Sequence, residues 1–363
     1  MTALPQGFTS FVTNIGIKDA TDDFTLVCAD SVVAASAVFT QSRFAGPSVV
    51  VSRKHVANYL ARAVVVISKN ANVATGDQGM ANALEVVQSV AKKIGCDPHD
   101  VLIASTGVIG RQYPIERVRA GLAGLPFPLP SDDAVAVARG IMTTDTVHKI
   151  AEATIGAGPA RVVGVAKGVG MIEPNMATLI TMAFTDAMVD GGTLDSIWRR
   201  IIDRTFNCVS IDTDTSTSDT AIVLASGVAG KFDLKELEVA LEEVARALTK
   251  QVARDGEGAE TLFEVCVDQA RDAEQCDARC GELDRERHAV DSPAELVHVV
   301  AVGVVDLELG FHRHGSFLEQ TDLTNAYDRW NLLFGPWLFS APYQDAWFTR
   351  STMVGLRAGA YRT

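Results

Sequence analysis

This chain of 363 residues lacks the short motifs that announce most enzyme classes. No G-x-x-x-x-G-K-[ST], H-E-x-x-H or G-x-S-x-G occurs, which sets aside P-loop nucleotide binding, zincin chemistry and the α/β-hydrolase nucleophile elbow. The lone Gly168-Val-Gly170 is too little for a dinucleotide fingerprint. Long apolar runs are missing too: 63–68 and 296–307 are too short or too broken to span a bilayer, so no membrane role is expected. Residues 1–10 have neither a basic stretch nor an apolar core, so no secretory leader is expected. Cysteine is sparse and, apart from Cys276 and Cys280, scattered over Cys28, Cys96, Cys208 and Cys266. Free thiols in a reducing compartment, the cytoplasm, are the expected state. Cys276-x3-Cys280 and His312-x-His314 have ligand-like spacing, but neither has a second half-site, and no metal is expected. Positive charge is in deficit, with 32 Lys and Arg against 45 Asp and Glu, a net charge of −13. That argues against a nucleic-acid or anionic-membrane surface, while a small anionic ligand can still be met by a local lysine and backbone amides. Repeats and low-complexity tracts are absent as well.

What is present is an ordinary globular balance, 47% hydrophobic and 21% charged, with length for one large domain or two ordinary ones. Short apolar runs alternate with helical periodicity in the first half, which predicts a mixed α/β fold. Strands are expected at 24–29, 63–68, 101–105 and 160–166. Helices are expected at 77–94, 134–142, 193–208 and 233–253. The 77–94 helix carries Met80, Ala83, Leu84, Val87 and Val90 at helical spacing, with Gly95 as its stop. In 233–253 a stripe of Leu234, Leu237, Leu241, Val244, Leu248 and Val252 lies opposite Glu236, Glu243 and Lys250. Residues 122–132 hold three prolines and read as a connection.

The most informative segment is KGVGMIEPNMATLITMAFTD at 167–186. It puts Thr178 behind the small residue Ala177, after a Gly- and Pro-containing loop and before an apolar run. A threonine hydroxyl is a poor nucleophile without a base beside it. Cutting the chain before the threonine supplies one, its own new α-amine. With an ordinary pKa of about 7.7–8.0, a useful fraction of that amine is neutral near pH 7. The same residues also describe a plain Gly-rich loop running into a buried strand.

The segment resembles the self-cleavage motif of the ornithine acetyltransferase family. So, in family order, do NANVATG at 70–76, ASTGVIG at 104–110, MTTDT at 142–146, SIDTDTSTSDTA at 210–221 and DGEGA at 255–259. A fainter echo, VVDL…GSF…TDLTNAYDRWN, runs over 304–331. The resemblance implies autocatalytic cutting at Ala177–Thr178 into an α chain, 1–177, and a β chain, 178–363. The two would intertwine as an α/β sandwich, like the N-terminal-threonine amidases, and assemble as α2β2. It implies acetyl transfer from N2-acetylornithine to glutamate through acetyl-Thr178, with small-molecule substrates only and no cofactor.

By the same resemblance, the Thr106 hydroxyl and the Gly107 N–H would form the oxyanion hole that acyl transfer requires. Thr144, Lys167, Glu257 and Asn331 would join Thr178 in holding substrate. Lys167 is suited to an α-carboxylate and Glu257 to a cationic amine or the new α-amine. Taken singly, each reads as a surface Lys, Thr or Glu. Asp212, Asp214, Ser216, Ser218 and Asp219 superficially resemble oxygen ligands for a hard cation, but the stretch lacks the pattern of an EF-hand loop, and a structural role is expected.

The chain departs from the family over 276–303 and 332–363. No Asp-Pro-Asn-Trp-Gly-Arg motif occurs, and an aromatic tail with Trp337, Phe339, Trp347 and Phe348 follows the point where family chains end. Two alternatives therefore stand beside the transferase. One is a hydrolase using the same threonine, with water as acceptor. The other is an inactive paralogue disabled by its altered C-terminal region.

Overall fold

The computed structural model describes residues 2–172, 179–212, 215–258, 261–267, 297–303 and 356–361. The chain divides into two compact units, Met1–Ala259 with Val300–Val302, and the remainder. In the second unit, Thr261–Val267 pairs antiparallel with Leu356–Tyr361.

The first unit is built on one sheet of eight strands. They are β1 (Phe8–Thr13), β2 (Phe24–Phe39), β3 (Leu60–Ile67), β4 (Val101–Ser105), β5 (Lys149–Thr154), β6 (Arg161–Lys167), β7 (Ile180–Met188) and β9 (Thr220–Lys231); β8 (Val209–Ser210) lies outside it. The order is β4-β3-β2-β9-β7-β6-β5, with β1 beside β2. β3 runs parallel to β4 and β7 parallel to β9; the remaining neighbours are antiparallel. β7 and β9, which follow residue 178 in sequence, are thus interleaved between β2 and β6, which precede it.

The sheet folds over on itself. β2 is 16 residues long and changes register between Cys28 and Val33. Its first half pairs with β1 and its second half with β9. Val64 and Val66 of β3 and Leu102 and Ala104 of β4 share one buried cluster with Val163 and Val165 of β6, Met182 and Phe184 of β7, and Ile222 of β9. Strands far apart in pairing order therefore face each other across this inner core. Alternation fixes the opposite faces. Ala63, Val65 and Ile67 turn outward with Val101 and Ile103, onto Ala83, Val86, Val87 and Val90 of helix α2 (Gly76–Ile94).

On the other side lie α5 (Gly191–Arg204) and α6 (Leu234–Arg254). Asp190 and Asp233 cap their N-termini by accepting backbone N–H groups. Trp198 of α5 donates to the Ala221 carbonyl of β9 at 3.0 Å. α6 lies on β5 and β6, where Gly164 lets it approach: a Cβ there would sit 2.5 Å from Val244 Cγ1. The layers run helix, sheet, sheet, helix. α1 (Pro47–His55), α3 (Ile115–Ala123) and α4 (Ala134–Gly140) complete the unit.

The expected elements are present, with corrections. The 24–29 strand continues to Phe39, the 134–142 helix ends at Gly140, and 193–208 is α5 followed by a separate 3-10 turn at Phe206–Cys208. Leu84 and Leu234, expected in the apolar stripes, are exposed. Leu234 is the first residue after the Asp233 cap, ahead of the turn that meets the sheet. Among the described residues no helix is long and apolar enough to cross a membrane.

Candidate active site

Thr106 and Lys167 end strands in opposing layers of the sandwich. Thr106 follows Leu102 and Ala104 in the inward alternation of β4, and Lys167 follows Val163 and Val165 in that of β6. Both side chains therefore point into the same gap, where Lys167 Nζ donates to Thr106 Oγ1 at 3.1 Å. Taken singly Lys167 reads as a surface residue, but here it is 3% exposed. Its position becomes clear only once the two layers are stacked. Burial pushes its ammonium below the ordinary lysine range, and the charge of Asp145 opposes that shift.

Gly107 is held by the NANVATG loop. Its φ is +126°, and a Cβ would lie 2.2 Å from the carbonyl carbon of Lys69. Val108 N donates to Lys69 O at 2.9 Å, Ala71 N to Val108 O at 3.1 Å and Gly110 N to Val73 O at 2.8 Å. Two of the quoted motifs thus zip together, and Lys69, Asn72 and Ala74 take positive φ to allow it. Behind β4, Ser105 turns the other way, into a buried hydroxyl cluster with Ser48 of α1 and Tyr113. Among the described residues neither the Gly107 N–H nor the Thr106 O–H has an acceptor, which leaves both available as donors.

The chain beyond Lys167 is pinned by residues from three other motifs. Gly168 N donates to Asp145 Oδ1 at 2.7 Å. Glu257 N donates to Val169 O at 2.5 Å. The Glu257 carboxylate also lies against Gly170, where a Cβ would be 2.7 Å from Oε2. Met171 N and Ile172 N both donate to the Asp212 carboxylate, the latter at 2.8 Å. Past the next six residues, Leu179 N donates to Asp219 Oδ1 at 2.8 Å. Asp212 and Asp219 thus act as backbone clamps rather than as cation ligands. Among the described residues no cluster of His, Cys, Asp and Glu is set to hold a metal ion.

Asp145, Lys149 and Asp255 form a buried ionic group that the sequence reading passed over. Lys149 Nζ, fully buried, meets Asp145 Oδ1 at 2.7 Å and Asp255 Oδ2 at 2.6 Å. Asp255 also accepts from Thr146 N at 3.1 Å, and Asp145 from Thr143 N at 2.9 Å. The signal was there: Asp145 and Asp255 sit inside MTTDT and DGEGA, and Asp145 to Lys149 is an i,i+4 spacing.

Of the expected site residues, the structure brings Thr106, Gly107, Lys167 and Glu257 around the 167–172 corner. Thr144 sits exposed beside Asp145 in the turn that grips Gly168. Ala177, Thr178 and Asn331 lie outside the described residues, as do Asp214, Cys276, Cys280, His312 and His314.

Comparison with known proteins bears on what this arrangement serves. The crystal structure of an arginine biosynthesis bifunctional protein ArgJ from Bacillus halodurans is 29% identical, with a TM-score of 0.45 over 48% of this chain and 95% of that one. Arginine biosynthesis bifunctional protein ArgJ 2 of a Nostoc species is 54% identical over 266 residues, 73% of this chain and 68% of the relative. Glutamate N-acetyltransferase Oat2 of Streptomyces clavuligerus is 53% identical over 272 residues, 75% of this chain and 69% of the relative. The model of the ArgJ family matches residues 9–283, the stretch that holds the six motifs and all but the last of the expected site residues. This chain belongs to the ArgJ family.

Proposed function

We propose that the protein is a glutamate N-acetyltransferase of the ornithine acetyltransferase type, activated by self-cleavage at Ala177–Thr178. Thr178 Oγ attacks the acetyl carbonyl of N2-acetylornithine while the freed α-amine takes the hydroxyl proton. The Thr106 O–H and Gly107 N–H receive the oxyanion. The C–N bond then breaks, ornithine leaves with the proton, and acetyl-Thr178 remains. The amine of glutamate attacks this ester, regenerates the hydroxyl and departs as N-acetylglutamate. Every step is acyl exchange and needs no redox partner.

The observation that carries this reading is the double clamp around residues 173–178, set beside the Thr106–Gly107 donor pair. Acids from the motifs at 142–146 and 210–221 hold the backbone at Gly168, Met171, Ile172 and Leu179. Fixed ends of this kind suit both a strained bond that must break and a nucleophile that must then stay in place. The interleaving of β7 and β9 between β2 and β6 supports two products that remain one folded body after the cut. Cytoplasmic residence, an α2β2 assembly and contacts to substrate from Thr144, Lys167, Glu257 and Asn331 complete the proposal.

The test is an intact mass on freshly purified protein beside Thr178→Ala, followed by an acetyl-exchange assay. Two fragments divided at residue 178 and lost in the variant, with acetyl moving from ornithine to glutamate, support the reading. Acetate released without any amino-acid acceptor would turn it into a hydrolase. One uncut, inactive chain in both proteins would make it the disabled paralogue.

A further inference from the structure

Thr106 has one hydroxyl hydrogen and spends it on one partner. While Lys167 is charged, Nζ offers only hydrogens, so Oγ1 accepts at 3.1 Å and the O–H is left for something else. Once Lys167 is neutral, Nζ carries a lone pair, and the Thr106 O–H can turn back onto it. The charge on a buried lysine thus sets the direction of a donor at the proposed oxyanion hole. Burial works against that charge. The ionisable groups that act on it are Asp145 and Asp219, which favour the ammonium, and Lys149 and Lys18, which oppose it.

Of these, Asp145 is fixed from three sides. It accepts from Lys149 Nζ, from the N–H of Gly168 next to Lys167, and from Thr143 N. Lys149 is in turn neutralised by Asp255, so it does not use up the charge of Asp145 alone. We propose that Asp145 is a positioning residue of the site: by gripping the Lys167–Gly168 corner through the Gly168 N–H, it keeps Lys167 a donor to Thr106 and so leaves the Thr106 O–H aimed at the substrate carbonyl. Asp145 touches no reacting atom in this scheme and acts through Lys167. Only the last step rests on the acetyl-transfer reading.

The experiment follows the Nζ resonance of Lys167 in full-length, 15N-lysine-labelled protein, identified by its loss in Lys167→Met. In Asp145→Asn, Lys167 is expected to release its proton about one pH unit lower than in the unaltered protein, a tenfold change in the dissociation constant. In Lys149→Met, which removes an opposing cation, the release is expected to move higher. The alkaline limb of kcat for acetyl exchange at saturating substrate follows in the same order. An unchanged titration in Asp145→Asn overturns the inference, and so does a shift in the same direction in both variants, since structural damage has no reason to reverse sign. If the unaltered protein shows no acetyl exchange but the opposite shifts appear, the transferase reading fails and the Asp145–Lys167 coupling stands. If exchange is normal and the shifts are absent, only the coupling fails.

Discussion

Asp212 and Asp219 grip the chain at opposite ends of one short segment. Asp212 accepts from the backbone of Met171 and Ile172, and Asp219 from that of Leu179. Both come from SIDTDTSTSDTA, whose oxygen-bearing side chains only superficially resemble a cation loop and for which a structural role is expected. A carboxylate taking backbone N–H groups orders main chain around a negative charge, through charge-assisted hydrogen bonds.

Weakening either clamp should slow self-cleavage before it damages the fold. A hydrogen bond to a charged group is worth about 1.5–3 kcal/mol, so losing about 1.4 kcal/mol of positioning slows the cut roughly tenfold. Asp212→Asn and Asp219→Asn keep the shape and remove the charge. Fragment appearance, followed by intact mass over hours after expression, should lag in both variants, with the far-ultraviolet circular dichroism spectrum unchanged. Cleavage at the unaltered rate would mean that the clamps serve only packing.

Gly107 offers a sharper case, because space and backbone conformation both require glycine. In Gly107→Ala the new methyl would meet the Lys69 carbonyl carbon at 2.2 Å, at a φ of +126° that side-chain-bearing residues avoid. Backbone strain of this kind costs about 1–3 kcal/mol, and relief of the clash must displace the 69–74 loop. A lower Tm is expected together with a fall in kcat/KM of about 10²–10³, the usual loss of one oxyanion donor. A variant with lowered Tm and normal kcat/KM would remove Gly107 from the reaction.

Sequence periodicity marked α2 and α6 because each buries one stripe against one layer, as Val87, Val90, Leu241 and Leu248 do. It placed Thr106 and Gly107 at a strand end through the turn chemistry of STG. The burial of Lys167 was out of reach, since it follows from which strand lies across the core, and no local pattern carries that. The full length of β2 was hidden for a related reason. Asp30, Ser31 and Val32 are exposed at its register shift and break the apolar run between its halves. The ionic group of Asp145, Lys149 and Asp255 draws on residues more than a hundred positions apart, so only the i,i+4 half of it was visible.

Asp145 should also leave its mark on acid stability. Burial alone would raise its carboxyl pKa, but the Lys167 and Lys149 ammonium groups override that and hold it below the ordinary carboxylate range. A depressed folded pKa contributes stability that is complete above the unfolded value, about 3.9, and is lost as pH falls through the lower folded value. Urea unfolding should therefore show stability declining below about pH 4, with a shallower decline in Asp145→Asn. Equal slopes in the two proteins would mean that Asp145 has no depressed pKa to lose.

Gly164 separates the architecture from the chemistry. It lies between Val163 and Val165 on β6, so it faces α6 while Lys167 faces the inner core. In Gly164→Ala the methyl would sit 2.5 Å from Val244 Cγ1 and 2.9 Å from Leu248 Cδ1. Overpacking at such a contact costs about 1–3 kcal/mol, which lowers Tm by roughly 2–4 °C per kcal/mol in a protein of this size. Because the strain falls on the helix side of the sheet, kcat/KM at low temperature should stay at the unaltered value. Val244→Ala removes the opposing methyls, so the double variant should regain part of the loss, with a coupling of about 0.5–3 kcal/mol in a double-mutant cycle. No coupling between positions 164 and 244 would mean that α6 does not rest on this strand.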